Sequence, residues 1–117
     1  IKHDMRNTIK NHSDFVMQAD APTARSALFL IRMKPAKLPD DARYGLIATK
    51  KTFKHAVDRN RAKRLLRDWI MFNEKTLRND ADYVFIARRA ILDADRTSGR
   101  TAMRKALHFL RKQKLNA

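Results

Sequence analysis

The sequence predicts an α+β fold, a two-layer sandwich of helices on a sheet, built as one domain of 117 residues. Three observations lead there. Runs rich in apolar, β-branched and aromatic side chains at 25–34, 43–50 and 82–88 lie between polar breakers and read as strands. Residues 56–77 and 97–112 instead carry apolar side chains at helical spacing. The order strand, helix, strand from Tyr44 to Arg88 is that of a βαβ unit, hence of a parallel pair.

Taken in order, residues 1–12 are polar and basic and read as an extended arm. Ser13 and Asp14 offer a helix start before Phe15, Val16 and Ala19, which predicts a short helix over 13–20. Ala21-Pro22 ends it, because a residue before proline is pushed out of the helical region. The stretch 25–34, RSALFLIRMK, reads as a strand buried on one or both faces. Two prolines and two aspartates make 35–41 a turn, so 43–50 is expected to pair antiparallel with 25–34. There is room for one extra short strand within 25–43. Gly45 marks a bulge or a close backbone approach. Asp58 is the expected N-cap of the first long helix, which runs to about Leu77 before Asn79 and Asp80 stop it. Residues 90–98 read as a polar connection holding Asp93, Asp95 and Arg96. The last helix starts at Thr97 or Gly99, with Ala102, Met103, Ala106, Leu107 and Leu110 as its apolar stripe.

Composition narrows the partner. Lys and Arg number 27 against 12 acidic residues, a net charge of +15 and a pI near 11.0, which implies a polyanion. No apolar run approaches the roughly 20 residues of a spanning helix, so nucleic acid is favoured over a membrane. No cysteine is present for a disulfide or a thiolate metal site. The first residues, IKHDMRNTIK, lack the apolar segment of a secretory signal, and the expected location is cytoplasmic.

The stretch 56–67, AVDRNRAKRLLR, carries the strongest signal. At about 100° per residue, Arg59, Lys63 and Arg67 stack along one side, with Asn60 and Arg64 beside them. Ala62, Leu65, Leu66, Trp69 and Ile70 point the other way. The basic face has no acidic partner of the kind that exposed helices use at i,i+4, and guanidinium groups with an amide neighbour suit phosphates and base edges. Lys50, Lys51, Lys54 and His55, with Arg88 and Arg89, lie at predicted strand ends beside this helix and extend the patch. A merely solvated face is the bland alternative. Phe29, Trp69, Phe72, Tyr83, Phe85 and Phe109 read as core, whereas Phe15 and Phe53 are flanked by charge and suit base stacking.

Catalysis by the chain itself finds little support. His3, His12, His55 and His108 lack metal-ligand spacing, and the pairs Asp80/Asp82 and Asp93/Asp95 sit at element ends where aspartate caps and turns. Ser13, Ser26 and Ser98 form no nucleophile elbow, and Gly45 and Gly99 alone cannot make a phosphate-cradling loop. No organic cofactor and no protein-held metal are expected.

The stretch 56–67 resembles the RNR signature of the protein subunit of bacterial ribonuclease P, with Arg59-Asn60-Arg61, Lys63-Arg64 and Arg67 at the family spacing. Tyr44-Gly45-Leu46 through Lys50-Lys51 looks like the family strand before it, residues 82–88 like the strand after it, and Ser13-Asp14-Phe15 like the start of the first helix. The resemblance covers about residues 8–112. It implies a mixed four-stranded sheet with a left-handed βαβ crossover, where sheet physics alone predicts a right-handed one. It also implies a partner RNA that uses Mg²⁺ to release the 5′ leader of precursor tRNA. Arg59, Asn60, Arg61, Lys63, Arg64, Arg67, Lys50, Lys51 and Arg88 would then bind RNA, and Phe15 and Phe53 would line the leader cleft. The protein would be monomeric apart from the RNA. Many members carry a second aromatic one turn after Phe15 and a tyrosine late in the first strand; here Ala19 and Ile31 stand there, so backbone electrostatics carries more of the leader contact. Two other functions fit the composition: a general RNA-binding or ribosome-associated protein, and a stand-alone nuclease.

Overall fold

In β3 (Phe29–Pro35) the side chains alternate: Phe29, Ile31 and Met33 are buried while Leu30, Arg32 and Lys34 are only half-buried. In β5 (Ala81–Ala87) five consecutive residues are buried, so that strand is covered on both faces. The computed structural model describes residues 7–38 and 42–115. Its sheet runs β1-β4-β5-β3-β2, with β1 at Asn7–Thr8, β2 at Thr23–Arg25 and β4 at Arg43–Ile47. β4 is parallel to β5, while β3 is antiparallel to β5 and β2 to β3. These four strands make the expected mixed sheet, and two-residue β1 adds an edge parallel to β4. Helices α1 (Ala56–Phe72) and α2 (Arg96–Arg111) pack on each other and cover one sheet face. No helix among the described residues is long and apolar enough to cross a membrane.

Several expectations need correction. β3 and β4 run in opposite directions but do not pair, because β5 lies between them; a strand dry on both faces takes the centre, and no local turn signal reveals that. The helix expected over 13–20 is only a 3-10 turn, His12–Phe15. The carbonyls of Asp14 and Val16 accept from Lys34 Nζ at 2.7 and 3.3 Å, and that of Gln18 is shared between Arg32 Nη2 at 2.9 Å and the Ala21 amide at 3.0 Å. Of the expected arm, residues 1–6 lie outside the described residues, whereas β1 pairs with β4 and Ile9 is buried, its amide donating to the Tyr44 carbonyl at 2.8 Å. Asp58 sits in the first turn of α1 rather than at its N-cap, which is His55. α1 stops at Phe72, where the Asn73 side chain donates to the Trp69 and Arg100 carbonyls at 2.9 and 3.2 Å. A 3-10 turn, Glu74–Thr76, replaces the helix's last turn. The polar connection contains a second such turn, Arg89–Asp93, that sinks Ile91 into the core. Asp95 caps α2 by accepting from the Ser98 amide at 2.7 Å. The extra strand is β2, which reaches the interval expected for it only at Arg25.

The two helices meet where Trp69, fully buried and tilted against Phe29 at 6.2 Å between ring centres, lies on Gly99. A Cβ on Gly99 would overlap the indole ring. Gly99→Ala gains about 1 kcal/mol of helix propensity but must displace a large, enclosed ring, an overpacking cost of about 1–3 kcal/mol. We expect a net loss of stability, read as a lower urea midpoint at unchanged m-value.

Candidate nucleic-acid interface

α1 owes its orientation to Ala62, Leu66, Trp69 and Ile70, which are buried against the sheet and α2. The opposite pole is centred on Arg64, with Asn60, Arg61 and Arg67 also exposed. This rotates the expected stripe. Arg59 and Lys63 are half-buried at its border. Arg59 Nη1 donates to the carbonyls of Phe53 and Lys54 at 3.0 and 3.2 Å, so this guanidinium braces the loop that enters the helix. Among the described residues, the ion pairs leave out Arg59, Arg61, Lys63, Arg64 and Arg67. The nearby Asp68 turns to Arg100 on α2, at 3.1 Å.

The parallel pairing of β4 and β5 brings their carboxyl ends together beside the start of α1. Lys50, Lys51, Lys54 and His55 are exposed in the loop after β4, and Arg88 and Arg89 just after β5. Arg89 Nη1 donates to the Thr52 carbonyl at 3.2 Å and ties the two segments into one patch with the helix. Phe53 does not join it. At 1% exposure it is a core residue that plugs the loop, its amide donating to the Thr49 carbonyl at 2.8 Å, so the expectation of a stacking role there is corrected. Phe72 and Phe109, expected in the core, are instead 61% and 51% exposed.

Phe15 lies on the other face of the sheet. It is half-buried over Gly45, where a Cβ would strike its ring; Gly45 is thus a close approach and not a bulge. Strand register puts Leu30, Arg32, Gly45, Ile47, Val84 and Ile86 on this same face. Ile31 is fully buried on the helix-covered side, so it is no part of the cleft wall, while Ala19 is exposed beside it. A groove of about 360 Å³ runs between Val16–Pro22 and Met33–Pro35, with Leu115 on its rim.

A charge network holds this wall. Arg43 Nη1 donates to Asp14 at 3.0 Å and Arg43 Nη2 to Asp82 at 3.1 Å, while Lys37 reaches Asp14 at 3.4 Å. The Arg43 hydrogen bond holds the Asp14 carboxyl below its ordinary pKa against the opposing effect of burial, with Lys37 assisting. Burial works against the Arg43 charge, but its bonds to Asp14 and Asp82 outweigh it and raise the pKa. Sequence reading missed this network. Its trace is the alternation of Arg32 and Lys34 with Phe29, Ile31 and Met33, which marks a wet second face. Among the described residues no three His, Asp or Glu side chains gather to hold a metal.

The model of the family described as Ribonuclease P matches residues 4–111. The chain is 38% identical over 78 residues to the ribonuclease P protein component of Chromobacterium violaceum, spanning 67% of this chain and 63% of that protein. It is 41% identical over 76 residues to the Marinomonas protein component, spanning 65% and 57%. These matches therefore take in less than two thirds of the relatives' own lengths. In fold, it is similar to the Staphylococcus aureus RNase P protein, TM-score 0.74 at 22% identity over 91% of this chain and 96% of that one. The Thermotoga maritima RNase P protein gives TM-score 0.73 at 20% identity, over 89% and 97%.

Because the Asp14 pKa is lowered on folding, its contribution to stability is present above the ordinary carboxylate value near 3.8 and is lost as pH falls through the lowered one. Phe15 and Gly45 amide shifts, followed by NMR, should therefore hold steady down to about pH 4 and move together below it. Asp14→Asn should show the moved positions already at pH 7.

Proposed function

We propose that this chain, which belongs to the ribonuclease P family, is the protein component of a ribonucleoprotein endonuclease that matures the 5′ end of precursor tRNA. The observation that carries this reading is the outward pole of α1: Asn60, Arg61, Arg64 and Arg67 are exposed at the RNR spacing, with no acid paired to them among the described residues. The partner is ribonuclease P RNA, which performs the cut with its own Mg²⁺. The complex works in the cytoplasm, with a single protein chain on the RNA.

In this reading each side chain has a stated task. Arg61, Lys63, Arg64 and Arg67 replace condensed counterions on RNA phosphates, which lowers the cation demand of the complex. Lys50, Lys51 and Arg88 extend that contact past the sheet end. Asn60 hydrogen-bonds the backbone and sets register, and Arg59 braces the loop that presents the lysines. The 5′ leader crosses the open sheet face beside Phe15, Leu30 and Arg32. With one aromatic on that wall, its phosphates supply most of the attraction.

The test is reconstitution with the same bacterium's ribonuclease P RNA at low Mg²⁺. Precursor tRNA cleaved only when protein and RNA are combined supports the proposal, and cleavage by protein alone contradicts it. RNA binding without any cleavage favours a general RNA-binding role. Arg64→Ala should weaken assembly and reduce the salt slope of binding by about 0.7–0.9, the value for one phosphate contact. Arg59→Ala should additionally lower the unfolding temperature, because it also frees the loop after β4.

A further inference from the structure

Phe72 ends α1 on the flank that faces α2, and it is exposed. Exposed apolar side chains are common on folded domains, but the surroundings of this one set it apart. The Arg100 guanidinium stands over the ring at 4.1 Å from its centre. Asp68 holds that guanidinium as a fork, Oδ1 accepting from Nη2 at 3.1 Å and Oδ2 from Nε at 3.3 Å. The Asn73 amide, bonded to the Arg100 carbonyl, fixes the spacing of the two helices beneath. Phe72, Asn73, Thr97, Arg100, Thr101 and Arg104 enclose a shallow pocket of about 210 Å³, smaller than a drug-sized site. Arg104 is exposed on its rim, and Arg67 and Met71 are exposed on the adjoining turn of α1.

We propose that this pocket is a second RNA contact, which takes one unpaired nucleotide with its base stacked on Phe72 and its phosphate against Arg104. The geometry favours RNA over a protein partner: the aromatic is single, the pocket is shallow, and the charged side chains that line it, Arg100 and Arg104, are both positive. The pocket lies about 18 Å along α1 from Asn60, at 1.5 Å per residue. It therefore extends the basic pole without overlapping it, and it is separate from the Phe15 wall on the opposite sheet face. Pre-ordering by Asp68 and Asn73 means that little side-chain entropy is lost when a base arrives.

The proposal rests on RNA as the partner of this chain but not on tRNA maturation, and the test keeps the two apart. The full chain and its Phe72→Leu variant are titrated with the bacterium's ribonuclease P RNA and with a single-stranded oligoadenylate of about ten nucleotides. Leu keeps the helix and the apolar surface but cannot stack. The expected result is roughly ten-fold weaker binding of both probes at unchanged salt slope, the scale of one base–aromatic stack. Arg104→Gln should instead flatten the slope by about 0.7, the value for a single strand. In a Phe72→Trp variant the added fluorescence should be quenched on binding either probe, above the constant signal of buried Trp69. Wild-type affinity of Phe72→Leu for both probes overturns the pocket and leaves the ribonuclease P reading intact. Indifference of the parent to ribonuclease P RNA, with stacking still seen on oligoadenylate, overturns that reading and keeps the pocket.

Discussion

The arrangement depends on β5 being dry on both faces. Asp82 and Val84 are buried as Ala81, Tyr83 and Phe85 are, with Ile86 half-buried, and the two sides obtain their cover differently. On one side α1 and α2 bring Trp69, Leu66, Met103 and Leu107. On the other, a short turn with Phe15 is pressed onto Gly45 and held by Arg43 between Asp14 and Asp82. Because β5 also needs a strand neighbour on each edge, β4 and β3 flank it, and the connection from β4 must cross over as α1. The crossover buries the apolar pole of α1, so its arginine pole faces outward. The exposed basic surface is thus a by-product of covering one strand.

Charge follows the same logic. Asp14, Asp68, Asp80 and Asp82 are each bound to a structural arginine, and Asp95 is a helix cap. These acids are thus drawn to internal tasks, and among the described residues the ion pairs leave out the positive groups of α1. Net charge alone would not achieve this, since the same counts interspersed over the surface would cancel at short range.

Legibility in the sequence followed the range of the forces involved. α1, α2 and β5 were readable because periodicity and composition act within a few residues: Ala62, Leu66, Trp69 and Ile70 stand at helical spacing, and DYVFIA admits little else. Strand order was not readable, since whether β3 meets β4 or β5 depends on contacts some 50 residues away in the chain. The segment 13–20 has helix-start chemistry, yet its Asp14 and Val16 carbonyls are taken by Lys34 and its Gln18 carbonyl is shared with Arg32. Two of the three misassigned aromatics share a cause. Phe53 is flanked by Lys51 and Lys54 yet is buried, and Phe72 follows an apolar run yet is exposed. Neighbouring residues in a chain say little about which side of a turn faces inward.

Within the RNR stretch, identical residue types also divide by position. Arg59 lies about 100° around the helix from Asn60, close enough to the buried border to reach back to the Phe53 and Lys54 carbonyls. Arg64 lies opposite the core and is exposed. A guanidinium suits both places because its planar fork can satisfy two acceptors at once, whether carbonyls or phosphate oxygens. A lysine at 59 would satisfy the loop less fully than the arginine does, whereas a lysine at 64 would keep the charge and lose only the paired geometry. The motif therefore combines a structural brace with a binding face, and the brace is what holds the lysines of the entry loop beside that face.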